Sequence, residues 1–85
     1  MYSLYILQCS DKTLYTGITV DVGRRVEAHN HSPTGAKYTS SRRPVKLVYT
    51  KQFRTRSRAL KEEHRIKQLS RREKLAVIRN NERQT

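Results

Sequence analysis

The sequence holds one cysteine, seven acidic residues in 85 and no apolar run long enough to span a bilayer. A lone Cys9 excludes an internal disulfide framework and any cysteine-based zinc spacing. The start does not resemble a signal peptide, so the cytosol is the expected compartment and no membrane partner is expected. No repeat, linker or low-complexity tract interrupts the chain. Its 85 residues suffice for one small domain with a thin core.

The shortage of acids leaves the bases uncompensated. Nineteen Lys and Arg give a formal net charge of +12. Such an imbalance destabilises a compact fold by self-repulsion unless a polyanion or dissolved salt neutralises it. Nucleic acid is the commonest partner of this kind, through phosphate contacts and counterion release. An anionic membrane surface is the rival. It is disfavoured because the basic residues are spread over several segments and no helix combines a basic face with a bulky apolar one.

Periodicity organises the chain. "YSLYILQC" reads as a strand with Tyr2, Leu4 and Ile6 on one face and Tyr5, Leu7 and Cys9 on the other. "SDKT" reads as a turn and "LYTGI" as a returning strand, which makes a hairpin. Asp21 or Thr19 caps a first helix reaching about Asn30, with Val22 and Val26 facing inward. "HSPTGAKYTSSRRP" is loop by composition. "VKLVYTK" alternates as a third strand, a second helix is predicted from about Ser57 to Leu69, and "SRRE" at 70–73 is a capping box opening a third. The order ββαβαα predicts a small α/β domain: a three-stranded antiparallel sheet flanked by helices over residues 1–81, with 82–85 a disordered tail.

On a wheel of about 100° per residue, Ala59, Leu60 and Ile66 define the apolar stripe of the second helix and Glu63 falls in its middle. Glu62 points away and reads as a solvated charge. A carboxylate on a buried stripe needs a partner. An ion pair with Lys67 supplies one and is favoured by the wheel alone; a metal ligand is the sharper alternative. On the first helix Arg25 and His29 lie one turn apart. Two cations make a poor structural pair but suit an anion such as phosphate; the plain alternative is a pair of surface residues. His31 and His64 read as surface. Tyr5 and Tyr15 lie on facing strands as a candidate aromatic pair. Gly17, two residues after Tyr15, removes a side chain and opens a pocket beside the phenol, or marks a bulge.

Taken in order, "SLY" (3–5), "YTG" (15–17), Arg25 with His29, and Glu63 on a later helix resemble the GIY-YIG nuclease domain. The stretches "YTGIT.D..RR...HN", "GAKYT..RRPV.LVY" and "AL..E.RIK.LSR.EK" resemble its small single-domain branch, and run with the rest from Tyr2 to Lys74. The resemblance implies metal-dependent phosphodiester hydrolysis on DNA, including branched or damaged DNA. By motif, Tyr5 takes the place of the proton-accepting tyrosine and Tyr15 that of the second. Arg25 matches the phosphate-binding arginine, His29 the residue one turn on, and Glu63 the metal-binding glutamate. One Mg²⁺ or Mn²⁺ on Glu63 is implied, with no small-molecule cofactor. Positive charge around Tyr5 is expected to lower its pKa, from about 10, toward that of a useful base. Gly17 would let a phosphate approach the strand, and Lys37, Arg42, Arg43, Arg54 and Arg56 would hold the rest of the nucleic acid. Several members place an Asn after the glutamate; here position 75 is Leu, and Asn80 and Asn81 come late. The free chain is expected to be a monomer. A basic nucleic-acid-binding module without turnover is the alternative function, and a subunit for an acidic protein partner a third.

Overall fold

The computed structural model describes residues 1–31 and 37–83. Strands β1 (Tyr2–Gln8) and β2 (Leu14–Thr19) are followed by helices α1 (Val22–His31) and α2 (Lys37–Ser40). Strand β3 (Lys46–Phe53) and helices α3 (Arg56–Lys67) and α4 (Arg71–Arg83) complete the chain. The sheet runs β2-β1-β3, antiparallel throughout, so β1 is the central strand. The ββαβαα order holds, with one addition. Residues 37–40 form a helical turn inside the segment that its Ser and Gly content marked as loop; residues 32–36 of that segment lie outside the described residues. Helix α4 reaches Arg83, and residues 84–85 of the expected tail also lie outside them.

Local chemistry accounts for the boundaries. In the β1–β2 turn Asp11 Oδ1 accepts from Thr13 N at 3.1 Å and Thr13 Oγ1 at 2.6 Å. This side-chain turn holds Lys12 at φ 71°, a left-handed conformation uncommon for a residue with a Cβ. Asp21 caps α1, its Oδ1 accepting from Arg24 N at 3.1 Å. Thr55 caps α3 by accepting from Arg58 N at 3.2 Å. The predicted capping box is present: Ser70 N donates to Glu73 Oε1 at 3.0 Å, and Glu73 N donates to Ser70 Oγ at 3.2 Å.

The alternation of β1 divides the interior in two. Leu4 and Ile6 pack with Tyr49, Ile66 and Ile78 under α3 and α4. Tyr5, Leu7 and Cys9 pack with Val45, Val26 and Tyr15 on the α1 side. No described helix is long and apolar enough to cross a membrane.

The apolar stripe of α3 differs from the one its sequence suggests. Ala59 and Ile66 are fully buried, but Leu60 is 39 % exposed. Without Leu60 the stripe centres between Ala59 and Ile66, which puts Glu62 and Glu63 about 50° to either side. Both carboxylates are consequently covered, with side chains 16 % and 19 % exposed. Glu62 is therefore no solvated charge. It accepts two hydrogen bonds from Arg65, at 2.6 and 2.9 Å, which hold its pKa below the usual carboxylate range.

Candidate active site

Strand pairing places Tyr5 opposite Gly17 and Leu7 opposite Tyr15, so the two tyrosines are diagonal neighbours on one face. Their rings lie 6.4 Å apart, and the Tyr15 ring meets the His29 ring edge-on at 5.1 Å. Helix α1 crosses this face and lowers Arg25 and His29 onto the pair. Tyr5 Oη is 3.0 Å from His29 Nε2 and accepts from Arg25 Nε at 3.4 Å. The Arg25 guanidinium also reaches the Tyr15 hydroxyl.

His29 is no surface residue. It is fully buried, with Nδ1 2.8 Å from Thr39 Oγ1 of α2. Two further contacts fix its backbone. Asn30 Oδ1 accepts from Val45 N at 2.7 Å while its Nδ2 donates to Val45 O at 3.2 Å, tying the end of α1 to the entry of β3. Arg43 Nε donates to the His29 carbonyl at 2.6 Å. Asn30 and Thr39 lie inside the stretches that carry the resemblance, but no role was read for them, because partners 10 and 15 residues apart leave no periodic signal. His31 and His64 are exposed, as expected.

Tyr5 is only 1 % exposed, and burial pushes its pKa up; the Arg25 hydrogen bond opposes this without overcoming it. The expected lowering is therefore reversed in the free protein, where Tyr5 is a phenol. Desolvation from close packing outweighs one nearby guanidinium. His29 is pushed down, first by burial and then by Arg25 and Arg43. Because its folded pKa lies below the unfolded value of about 6.5, the unfolded chain binds the extra proton more readily below that pH. Stability contributed by neutral His29 is complete above about pH 6.5 and is lost as the pH falls toward the folded pKa. The melting temperature is expected to drop on acidification from about pH 7 to pH 5, with a shallower drop in His29→Gln. Equal slopes in both proteins would contradict this.

Gly17 has a different task from the one its sequence suggested. A Cβ there would lie 2.6 Å from Tyr5 Oη and 2.7 Å from Cζ. The space above Gly17 is filled by the Tyr5 phenol rather than open to a phosphate. Gly17→Ala must displace the ring from His29, at roughly 1–3 kcal/mol for overpacking. A lowered melting temperature is the expected result; an unchanged one would mean that the ring swings aside freely.

Glu63 comes from α3, which packs against β2, and is near enough for its charge to raise the Tyr5 pKa slightly. Among the described residues its one ionic partner is Lys67, 3.7 Å from Oε2. No three His, Cys, Asp or Glu side chains come together among those residues. This donor set fits a hard cation that keeps most of its waters and shares a phosphate oxygen, and does not fit a caged ion.

The expected nucleic-acid contacts are dispersed. Arg42 pairs with Asp11 Oδ2 at 3.0 Å beside the β1–β2 turn, and Arg43 braces His29. Arg54 and Arg56 are exposed at the other end of the sheet, beyond Phe53, which pairs with Tyr2. Lys37 opens α2, and its side chain is outside the described set. Asn80 and Asn81 line a separate cleft of roughly 310 Å³ with Tyr49, Lys51 and Val77, on the sheet face opposite Tyr5. Arg25 lines a cleft of roughly 270 Å³ with Thr19, Arg24 and Ala28, and so is common to the surface and the buried phenol.

A family model described as the GIY-YIG catalytic domain matches residues 1–76. A UPF0213 protein of Syntrophus aciditrophicus is 55 % identical over 78 residues, covering 92 % of this chain and 90 % of its own. One of Halobacterium salinarum is 52 % identical, covering 92 % and 100 %. Two solution structures are similar. The UPF0213 protein of Bacillus halodurans matches with TM-score 0.59 and 44 % identity, over 92 % of this chain and 83 % of that one. A protein from E. faecalis matches with TM-score 0.66 and 41 % identity, over 95 % and 85 %.

Proposed function

The chain belongs to the GIY-YIG family and has its nuclease-type fold, and from that premise we propose that it is an endonuclease hydrolysing phosphodiester bonds in DNA. The observation that supports this best is the buried Tyr5 hydroxyl held between a guanidinium and a neutral imidazole. Mere attachment to DNA has no use for such a group; proton transfer has.

In this reading a phosphate docks in the cleft at Arg25, which neutralises charge developing on the non-bridging oxygens. The attacking water gives its proton to Tyr5 Oη as the Tyr5 proton passes to His29 Nε2. The phenol thus acts as a base without a lowered pKa of its own, because the imidazole takes the charge. Hydroxide bonds to phosphorus, the bond to the leaving sugar oxygen breaks, and that oxygen takes a proton from solvent. Tyr15 orients Arg25 and packs against both rings. Glu63 would hold a divalent cation, Mg²⁺ or Mn²⁺, which when bound supplies Lewis-acid charge for the leaving oxygen. The net charge of +12 attracts the polyanion to the protein as a whole.

The test is incubation of the protein with supercoiled plasmid and with branched duplexes in Mg²⁺ or Mn²⁺. Turnover is expected. Salt-sensitive binding with no turnover in either metal would assign the fold to a binding module instead.

A further inference from the structure

A neutral imidazole has one N–H and one lone pair, and both nitrogens of His29 are engaged: Nε2 with Tyr5 Oη at 3.0 Å and Nδ1 with Thr39 Oγ1 at 2.8 Å. The charged and titratable groups facing this ring are Tyr5, Tyr15, Arg25 and Arg43. Hydrogen-bond accounting decides where the ring proton sits. Tyr5 Oη already accepts from Arg25 Nε at 3.4 Å. A proton on Nε2 would give Tyr5 a second donor and leave its own O–H without an acceptor among the described residues, in a side chain 1 % exposed. A buried unpaired O–H is disfavoured. With the proton on Nδ1 the Tyr5 hydroxyl and both ring nitrogens are served. Arg25 donates to Tyr5, Tyr5 donates to Nε2, and Nδ1 donates to Thr39.

We propose that Thr39 is a positioning residue, whose hydroxyl accepts from His29 Nδ1 and keeps Nε2 as the lone pair facing Tyr5. This rests on the hydrolytic reading above, since only that tautomer can receive the phenol's proton. Thr39 is well placed to hold the ring. It is fully buried, and its carbonyl accepts from Arg42 N at 3.0 Å, while the Arg42 carbonyl accepts from Ser10 N at 2.9 Å. The hydroxyl is thus anchored to the β1–β2 turn rather than carried on an independent loop. Removing it leaves one buried donor without an acceptor in either tautomer, Nδ1–H in one and the Tyr5 O–H in the other, so the preference for Nδ1–H is lost and part of the population no longer faces Tyr5 with a lone pair.

Nitrogen-15 imidazole NMR of the whole chain at neutral pH reads the tautomer directly. In wild type His29 is expected with Nδ1 protonated and Nε2 bare. Thr39→Ser is expected to keep that signature, and Thr39→Val to move it toward Nε2–H. On plasmid cleavage, Thr39→Val is expected to lower kcat by ~10–100-fold with KM unchanged, and Thr39→Ser to restore it. An Nε2–H signature in wild type, or an unchanged one in Thr39→Val, overturns the assignment. If Thr39→Val does not fold, the wild-type and Thr39→Ser spectra decide. If wild type cleaves no DNA, the hydrolytic reading fails, while the same spectra still judge the contact.

Discussion

Tyr5→Phe is expected to slow DNA cleavage by ~10²–10⁴-fold, the range supplied by a positioned general base, with little change in DNA affinity. The substitution keeps the ring that packs over Gly17 and deletes the one atom joining Arg25 to His29. Its effect on stability is not zero. His29 Nε2 loses its partner inside the protein, which costs ~1–3 kcal/mol. For a domain of this size that is a fall of roughly 5–20 °C in melting temperature. The two readouts are separable, since a well-folded Tyr5→Phe protein that binds DNA and does not cut it isolates the hydroxyl. Cleavage at an undiminished rate would show that another group takes the proton.

Glu63→Ala is expected to abolish metal-dependent cleavage while leaving DNA binding intact or slightly tighter, because a negative charge has left a basic protein. The fold should tolerate the change. The substitution breaks a single ion pair to a half-exposed lysine at 3.7 Å, and such pairs contribute roughly 0–1 kcal/mol. Glu62 serves as the control. It is covered to a similar degree, but faces β3 and is held by both Arg65 hydrogen bonds. Glu62→Ala should therefore lose stability and keep activity. The reverse pattern would assign the metal to the wrong carboxylate of the pair.

The parts of the fold that local signals encode were legible. Alternation in "YSLYIL" separated Leu4 and Ile6 from Tyr5 and Leu7, and the packing keeps that division. Asp21 and the Ser70–Glu73 box mark helix starts through hydrogen bonds no more than three residues apart. What depended on distant packing was not legible. Counting Leu60 as core turned the α3 stripe and made Glu62 look solvated; only the sheet beneath the helix shows which apolar residue is left outside. Charges near Tyr5 can be counted from the sequence, but the desolvation that outweighs them depends on how tightly α1 closes over the hairpin. Gly17 stood out for the right position and the wrong reason, since the ring filling its space belongs to the protein itself. Arg42 and Arg43 read as phosphate contacts, and their partners within the protein, Asp11 for one and the backbone of His29 for the other, had no signal in the sequence. Thr39 ends the "GAKYT" that carries part of the resemblance, but nothing local marked it as the partner of His29.

Hydrolysis at this site is tested most sharply by Mg²⁺-dependent cleavage of supercoiled plasmid, with wild-type protein and Glu63→Ala purified in parallel. Nicked and linear products are expected from wild type alone, with equal retardation of DNA by both proteins. Cleavage by both would trace the activity to another carboxylate or a contaminating nuclease, and cleavage by neither would contradict hydrolysis by this site.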